Sequence, residues 1–186
     1  MSPMDTATFR IARFGTRLGT RLEGERARAE LAGALRALPD GGQVRVVLDG
    51  LDVLSTSFAD ELIGRTYQHL VIGEFGERTM VLETPSAELA DGIDVKLAQR
   101  RLAMLCLLNG AWSLIGQHTP AMDETLRLIL EKGTTTTREL IEDLDLQMNA
   151  CVNRVARLAK LRLIRRVQIG MNGPQPIYEL HSILES

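Results

Sequence analysis

Strand-like and helix-like segments alternate through the first hundred residues, and this alternation restricts the fold more than any other feature of the sequence. The strand-like runs are short and mostly apolar, and they lie at residues 7–14, 44–48 and 78–82. The helix-like segments repeat apolar residues at helical spacing, and they lie at residues 21–38, 57–72 and 85–98. Because strands that alternate with helices pack in layers, the sequence predicts a small α/β domain.

The pair Asn109-Gly110 separates two apolar runs, residues 102–108 and 111–115. Asn-Gly is the strongest short signal for a β-hairpin, since both residues accept the positive φ of a type I′ turn. We therefore expect a hairpin here that closes the first domain, which spans residues 1–117.

The pattern changes after a short joint at residues 117–120. Three helical segments follow at about 122–131, 136–144 and 148–161, and then a strand, a turn and a strand over residues 163–180. Thr136 and Glu139 have the spacing of a capping box at the start of the second helix. Residues 118–186 are thus predicted to form a second, α+β domain.

This order of helix, three-residue turn, helix and hairpin resembles the winged helix-turn-helix family. The resemblance rests on the run TTRELIEDLDLQMNACVNRVARLAKLRLIRRV, followed by PIYEL. The glycine that the family usually has before the last apolar pair is replaced by Arg162. The resemblance implies a domain that binds duplex DNA or docks another protein.

Basic residues are concentrated in the part of this domain that would face DNA. The window from Gln147 to Tyr178 contains no acidic residue, and its basic residues are Arg154, Arg157, Lys160, Arg162, Arg165 and Arg166. Asn pairs bidentately with adenine and Arg with guanine, and basic side chains neutralise phosphates. The residues expected to face base edges are Asn149, Asn153 and Arg154, and those expected to contact the backbone are Arg157, Lys160, Arg165 and Arg166.

An apolar stripe on the same helix is expected to pack it onto the domain, and it consists of Met148, Val152, Val155 and Leu158. The polar face opposite has two other interpretations. It is either an ordinary solvated face or the surface of a winged helix that docks protein.

The stretch LSTSFADELIG, residues 54–64, follows the second strand-like run directly. With the preceding VRVVLDGLDV it resembles a STAS-like domain of unknown function found in bacterial regulators, and more remotely the STAS domains of anti-sigma-factor antagonists. In those antagonists a partner kinase phosphorylates a serine that aligns with Ser57. Ser55 replaces the acidic residue of that motif, and Phe58 replaces its glycine.

Three interpretations of this stretch stay open. In the first, Ser57 is the N-cap of a helix, Asp60 is the third residue of that helix and Glu61 follows it. In the second, the end of the helix forms a partner-binding surface, with contacts expected from Ser55, Thr56, Ser57, Asp60 and Glu61. The third is phosphorylation of Ser57, which two carboxylates in the first helical turn would oppose by repulsion.

Catalytic, metal and cofactor sites are not expected. His69 lies twelve residues after Ser57 on the same predicted helix, roughly 18 Å away by the rise of 1.5 Å per residue, so it cannot serve as its base. Cys106 and Cys151 have no partner at metal-ligand spacing. No run approaches the ~20 apolar residues that span a bilayer, and we expect a cytoplasmic protein with no membrane partner.

The sequence therefore predicts a regulator, not an enzyme, with an α/β STAS-like domain and a winged helix that binds duplex DNA. Its expected partners are DNA and a regulatory protein such as an ATPase-type kinase, and a homodimer stays open. The alternative is an interaction protein that binds no DNA and docks a kinase or an anti-sigma partner. A net charge of −2 shows that binding to nucleic acid would depend on a local basic surface.

Overall fold

The computed structural model describes residues 4–184, and the chain divides into two compact units, Met1–His118 and Thr119–Ser186. The sequence placed the boundary between residues 117 and 118. The structure is a mixture of helices and a mixed sheet, which confirms the predicted α/β character at that level.

The first unit alternates strands with helices. Its strands are β1 (Thr6–Arg10), β2 (Arg17–Leu18), β3 (Gln43–Val47), β4 (Val53–Leu54), β5 (Thr79–Thr84), β6 (Ala103–Leu108) and β7 (Ala111–Gly116). Its helical elements are a 3₁₀ turn (Ile11–Phe14), α1 (Arg21–Ala37), α2 (Thr56–Ala59), a π-helical segment (Asp60–Gly64), α3 (Arg65–Val71) and α4 (Ala87–Gln99).

The main sheet of this unit has the strand order β1-β3-β5-β6-β7. The first four strands are parallel neighbours, and β7 is antiparallel to β6. Each parallel step passes through helix, and such crossovers are right-handed. Because the sheet also grows in one direction, its helices all cover the same face. A separate parallel pair joins β2 to β4 just before α2 begins.

A row of apolar side chains crosses the sheet and anchors this core. Phe9, Val46, Leu82 and Cys106 are in register across four strands, and all four are buried. Burial raises the pKa of the Cys106 thiol to about 11, because a thiolate would lose its solvation there. Cys106 is therefore a core residue.

The first strand is shorter than predicted. The sequence predicted a strand over residues 7–14, but β1 ends at Arg10 and the 3₁₀ turn follows. Ile11 is completely buried, and the guanidinium of Arg13 lies 4.5 Å from the ring centre of Phe9 and 4.9 Å from that of Phe14. The chain therefore leaves the extended conformation after Arg10, and the 3₁₀ turn keeps Ile11 buried and Arg13 against the two rings.

The predicted hairpin is confirmed. Strands β6 and β7 pair from Ala103 with Gly116 to Leu108 with Ala111. Asn109 and Gly110 connect them with φ of 51° and 83°. Both residues thus take the left-handed conformation that a type I′ turn requires.

Up to residue 184, the second unit consists of three helices and three strands. These are α5 (Pro120–Lys132), β8 (Thr134–Thr136), α6 (Thr137–Leu144), α7 (Met148–Lys160), β9 (Ile164–Asn172) and β10 (Gln175–Ser182). The three strands form an antiparallel sheet in the order β8-β10-β9.

The predicted capping box at the start of α6 is confirmed. The Thr136 hydroxyl accepts from the Glu139 backbone N–H, and the Glu139 carboxylate accepts from the Thr136 N–H. The pKa of Glu139 is lowered, first by the hydrogen bond from the Thr135 hydroxyl and then by those from Thr136. The run of threonines thus fixes where α6 begins.

The packing stripe of α7 differs from the prediction. Cys151, Val155 and Leu158 are buried, whereas Met148 and Val152 are 61% and 47% exposed. The predicted stripe did not include Cys151, although a cysteine packs as a small apolar residue. With Cys151 included, the buried face turns away from Met148 and Val152, which lie on the outer side of the helix.

Candidate functional site

The outward face of α7 carries a line of uncharged and basic side chains. Asn149, Asn153, Ala156 and Lys160 are all exposed, and they follow one another at spacings of four, three and four residues. Val152 lies beside this line. Small side chains and amides without any carboxylate allow this face to approach an anionic surface closely. We refer to these five residues as the α7 outer face.

Arg154 does not belong to that face. Its Nη1 donates to Glu124 Oε2 at 2.9 Å and to Thr125 Oγ1 at 3.2 Å, and its side chain is only 22% exposed. Both partners lie on α5, so Arg154 connects α7 to α5. These contacts occupy the guanidinium and do not support the expectation that Arg154 faces base edges, which stays a prediction.

The other basic residues predicted to bind DNA occupy the end of α7 and the start of β9. Arg157 and Arg165 are partly buried and already have interactions within the protein. Arg166 is exposed, and its guanidinium lies 5.0 Å from the ring centre of Tyr178. The basic charge of the hairpin is thus confined to its base.

The helix that begins within LSTSFADELIG has its N-cap two residues earlier than predicted. The Oγ of Ser55 accepts from the Phe58 backbone N–H at 3.1 Å and donates to the Gly19 carbonyl at 2.7 Å. Ser55, with φ of −68° and ψ of 151°, is therefore the N-cap, and the prediction that Ser57 has this role is wrong. Thr56 and Ser57 are exposed in the first helical turn.

Asp60 lies in the π-helical segment and forms a bidentate ion pair with Arg100, the residue that follows α4. Arg100 Nε lies 2.8 Å from Asp60 Oδ1, and Arg100 Nη2 lies 3.0 Å from Oδ2. This hydrogen bonding lowers the pKa of Asp60 and raises that of Arg100. Arg100 also donates to Gln68 Oε1 at 2.6 Å.

Glu61 is completely buried among three arginines. Arg21 Nη1 lies 2.8 Å from Glu61 Oε2, while Arg28 Nε and Arg65 Nη1 lie 3.2 Å and 3.3 Å from Oε1. A carboxylate without exposed surface cannot contact a partner, so the predicted role of Glu61 in a partner-binding surface is wrong. Nor are Asp60 and Glu61 free charges in the first helical turn.

Sequence reasoning missed this network because its arginines come from distant parts of the chain: Arg21 and Arg28 lie on α1, and Arg100 directly follows α4. One signal was available: Arg21 and Arg28 are seven residues apart and therefore lie on the same face of α1. Between them is Gly24, where α1 comes closest to Glu61.

A groove of about 310 Å³ lies between the start of α2 and the start of α4. Of the five residues predicted to bind a partner, Thr56 lines it. Its other lining residues include Leu51, Asp52, Val53, Leu54, Ser86, Glu88 and Leu89. This groove is a concave surface beside the LSTS segment.

Two of the three histidines form local pairs. His69 Nδ1 is hydrogen-bonded to Glu74, and His181 Nε2 lies 3.1 Å from Glu179 Oε2. Within residues 4–184, no group of three or more His, Cys, Asp or Glu side chains is arranged to hold a metal ion. In the same range, no helix combines the length and apolar character needed to cross a membrane.

No protein-family model matches the sequence, and no curated protein is similar to it at a significant level.

Proposed function

We propose that the protein is a transcriptional regulator that binds duplex DNA through α7 and the base of the following hairpin. The observation that carries this proposal is the α7 outer face: two asparagines, a lysine and small apolar residues, with no acidic residue from Gln147 to Tyr178. The order α5-β8-α6-α7-β9-β10 and the sheet order β8-β10-β9 support the resemblance to a winged helix-turn-helix. In that arrangement the helix after the turn enters the major groove.

The side chains of the outer face suit specific contacts in that groove. Asn149 and Asn153 can each donate an amide N–H to adenine N7 and accept from the adenine amino group, and Ala156 and Val152 offer methyl groups to thymine. Lys160 and Arg166 are exposed and can neutralise phosphates. Arg154 has a positioning role in this proposal, because it fixes α7 on α5.

The first unit would receive the regulatory input, through a protein partner at the groove beside Thr56. The resemblance to STAS-like domains supports this role, as does the exposure of Thr56 and Ser57. The structure also removes an objection to phosphorylation of Ser57. Because arginines pair with both Asp60 and Glu61, a phosphate at Ser57 would meet neutralised carboxylates.

An interaction protein that binds no DNA is the second candidate. The observation in its favour is the hairpin beyond Arg166, where large apolar residues are exposed and no charged residue is present up to Ile177. A winged helix that bound DNA through this part of the hairpin would need cations there.

The two candidates differ in the salt dependence of binding. The purified chain is titrated, by fluorescence anisotropy, into a pool of labelled duplexes from around its own gene at several salt concentrations. With roughly four phosphate contacts, the logarithm of the association constant should fall against the logarithm of salt concentration with a slope of about −3.6.

The variant Asn153→Ala/Lys160→Ala should lose sequence preference, and its slope should be smaller by about 0.9. Lys96→Ala/Gln99→Ala, which removes a lysine and an amide from α4 of the first unit, is the matched control and should bind as the unaltered protein does. Absence of binding, or equal binding by the double variant, would favour the interaction protein.

A further inference from the structure

The outer part of the β9-β10 hairpin forms an arm of only two strands. Strand β8 pairs with β10 at Glu179, Leu180 and His181, and no pairing with β8 is found nearer the turn. From Val167 to Ile177 the only strand pairing is between β9 and β10 themselves. We call residues 167–177 the hairpin arm.

The arm is uncharged along its whole length, and its large side chains include several apolar ones. Its sequence, VQIGMNGPQPI, contains no acidic or basic residue. Its large apolar residues are exposed: Val167 by 40%, Ile169 by 53%, Met171 by 55% and Ile177 by 41%. In a chain of 186 residues with a quarter of them charged, such a segment is unusual on the surface.

Apolar residues lie on both faces of the arm. Val167 is opposite Glu179 and Ile177 opposite Gly170, which places Val167 and Ile177 on one face. Met171 is opposite Pro176 and lies on the other face. Ile169 has no Cα partner, because the register shifts at this point and leaves a bulge. Burying one face against the unit would therefore still leave apolar side chains in water.

Two physical features indicate that another strand covers the arm. A two-stranded ribbon is at best marginally stable in water, and three or more strands are needed for an independent sheet. The outer edge of β9 is also an edge strand of the sheet, and proteins usually protect such edges with charged residues. Between Val167 and Asn172 this edge has no charged residue, and the bulge at Ile169 is the one protective feature along it.

We propose that the hairpin arm is a homodimerisation element, and that the arm of a second copy covers it. In this dimer the β9 strands of the two arms pair antiparallel, so that the two arms form a four-stranded ribbon. A two-fold axis relates the two copies, and the same surface of each arm therefore contacts the other. Because the arm is uncharged, two copies meet without repulsion, and it offers no charge by which a different partner would be selected. Arg165 and Arg166 precede the arm, so an antiparallel arrangement keeps those of the two copies apart.

Sedimentation equilibrium of the full chain, without DNA, tests this interface over a range of concentrations. We expect the mass of two chains for the unaltered protein. The variant Ile169→Lys/Met171→Lys should increase the dissociation constant at least 100-fold, since lysines would then face lysines across the two-fold axis. Far-UV circular dichroism verifies that the variant is folded, and Met171→Lys alone gives the same test if the double variant is not.

Ile72→Lys/Val95→Lys is the matched control. It places two lysines at exposed apolar positions of the first unit, 73% and 52% exposed, and should remain dimeric. A monomeric mass for the unaltered chain at concentrations on the order of 100 μM would overturn the proposal, since even a weak specific dimer forms there. So would an arm variant that dimerises as strongly as the unaltered chain. Neither result depends on whether the protein binds DNA.

Discussion

Gly24 of α1 lies directly against Glu61 of the π-helical segment. A Cβ atom built on Gly24 would stand 2.9 Å from Glu61 Cβ and 3.2 Å from the Phe58 carbonyl oxygen. No real Cβ makes so short a contact, and neither neighbouring atom belongs to a flexible side-chain end. The absence of a side chain at residue 24 therefore lets Arg21 and Arg28, on either side of it, reach the same buried carboxylate.

Gly24→Ala should destabilise the first unit even though alanine favours a helix. The gain in helix propensity is about 1 kcal/mol, but overpacking a close contact costs about 1–3 kcal/mol, and separating α1 from Glu61 also weakens the ion pairs. We expect a net loss of about 1–2 kcal/mol in the free energy of unfolding, measured by urea denaturation.

Gly33→Ala is the control for this substitution. Gly33 lies on the same helix, is exposed, and would have no atom within 4 Å of an added Cβ. It should stabilise the protein by about 0.5–1 kcal/mol. If both variants shifted stability in the same direction, the contact between Gly24 and Glu61 would have no energetic importance.

The ion pair between Asp60 and Arg100 should make stability depend on pH in the acid range. The pKa of Asp60 is lowered in the folded protein, so its contribution is fully present above the unfolded value of about 3.9 and is lost as pH falls through the folded value. Asp60→Asn should lower the free energy of unfolding by about 2 kcal/mol at neutral pH, and this difference should shrink below about pH 4.

Chemical denaturation of the two proteins at a series of pH values measures this difference. Asp91→Asn, at an exposed position of α4, is the control and should change stability little at any pH. An Asp60→Asn variant whose deficit stayed constant down to about pH 2 would show that the carboxylate charge has no part in the effect.

Local patterns predicted the parts of this fold that depend on neighbouring residues. The turn at Asn109-Gly110 and the capping box of Thr136 and Glu139 were both found where the sequence placed them, because each is fixed within four residues. The N-cap before Phe58 was misplaced, since Ser55, Thr56 and Ser57 all carry a hydroxyl group. The hydrogen bond of Ser55 to the Gly19 carbonyl decides between them, and that contact joins residues far apart in the sequence.

The same reason explains why the candidate sites were only partly predicted. Asn149, Asn153 and Lys160 follow helical spacing, so their common exposed face could be read from the sequence. The pairing of Arg154 with Glu124 spans 30 residues, and that of Asp60 with Arg100 spans 40. A charged residue gives no local sign of whether it faces solvent or a distant partner.

Asn153 and Arg154 are adjacent in sequence, but their substitutions should have different effects. Arg154→Ala removes an ion pair and a hydrogen bond between α7 and α5, and should lower the free energy of unfolding by about 1 kcal/mol. Asn153→Ala should leave stability within about 0.5 kcal/mol but cost about 1–3 kcal/mol of discrimination between DNA sequences.

Thermal unfolding and anisotropy titrations of the two variants test this separation. Glu124→Ala is a further control, because in a double-mutant cycle with Arg154→Ala it should show coupling in stability. Equal losses of DNA discrimination in the Asn153 and Arg154 variants, with unchanged stability in both, would return Arg154 to the base-contacting residues.

Asp145 occupies the left-handed conformation at the end of α6, with φ of 49° and ψ of 50°. It is exposed, and its carboxylate lies at the negative end of the helix dipole. Glycine adopts this conformation without strain and is the residue usually found after a helix. Asp145→Gly should therefore raise the free energy of unfolding by about 1 kcal/mol, as a higher denaturation midpoint would show.

Two further substitutions at this position separate backbone strain from charge. Asp145→Asn removes the charge but keeps a residue that tolerates the left-handed conformation, so it should gain only about 0.3–1 kcal/mol. Asp145→Val should destabilise the protein, because a β-branched residue is strained at positive φ. The opposite result would be an Asp145→Gly variant that is less stable than the unaltered chain and an Asp145→Asn variant that is not. In that case the polar side chain at this turn would stabilise the connection between α6 and α7 by more than the relief of backbone strain.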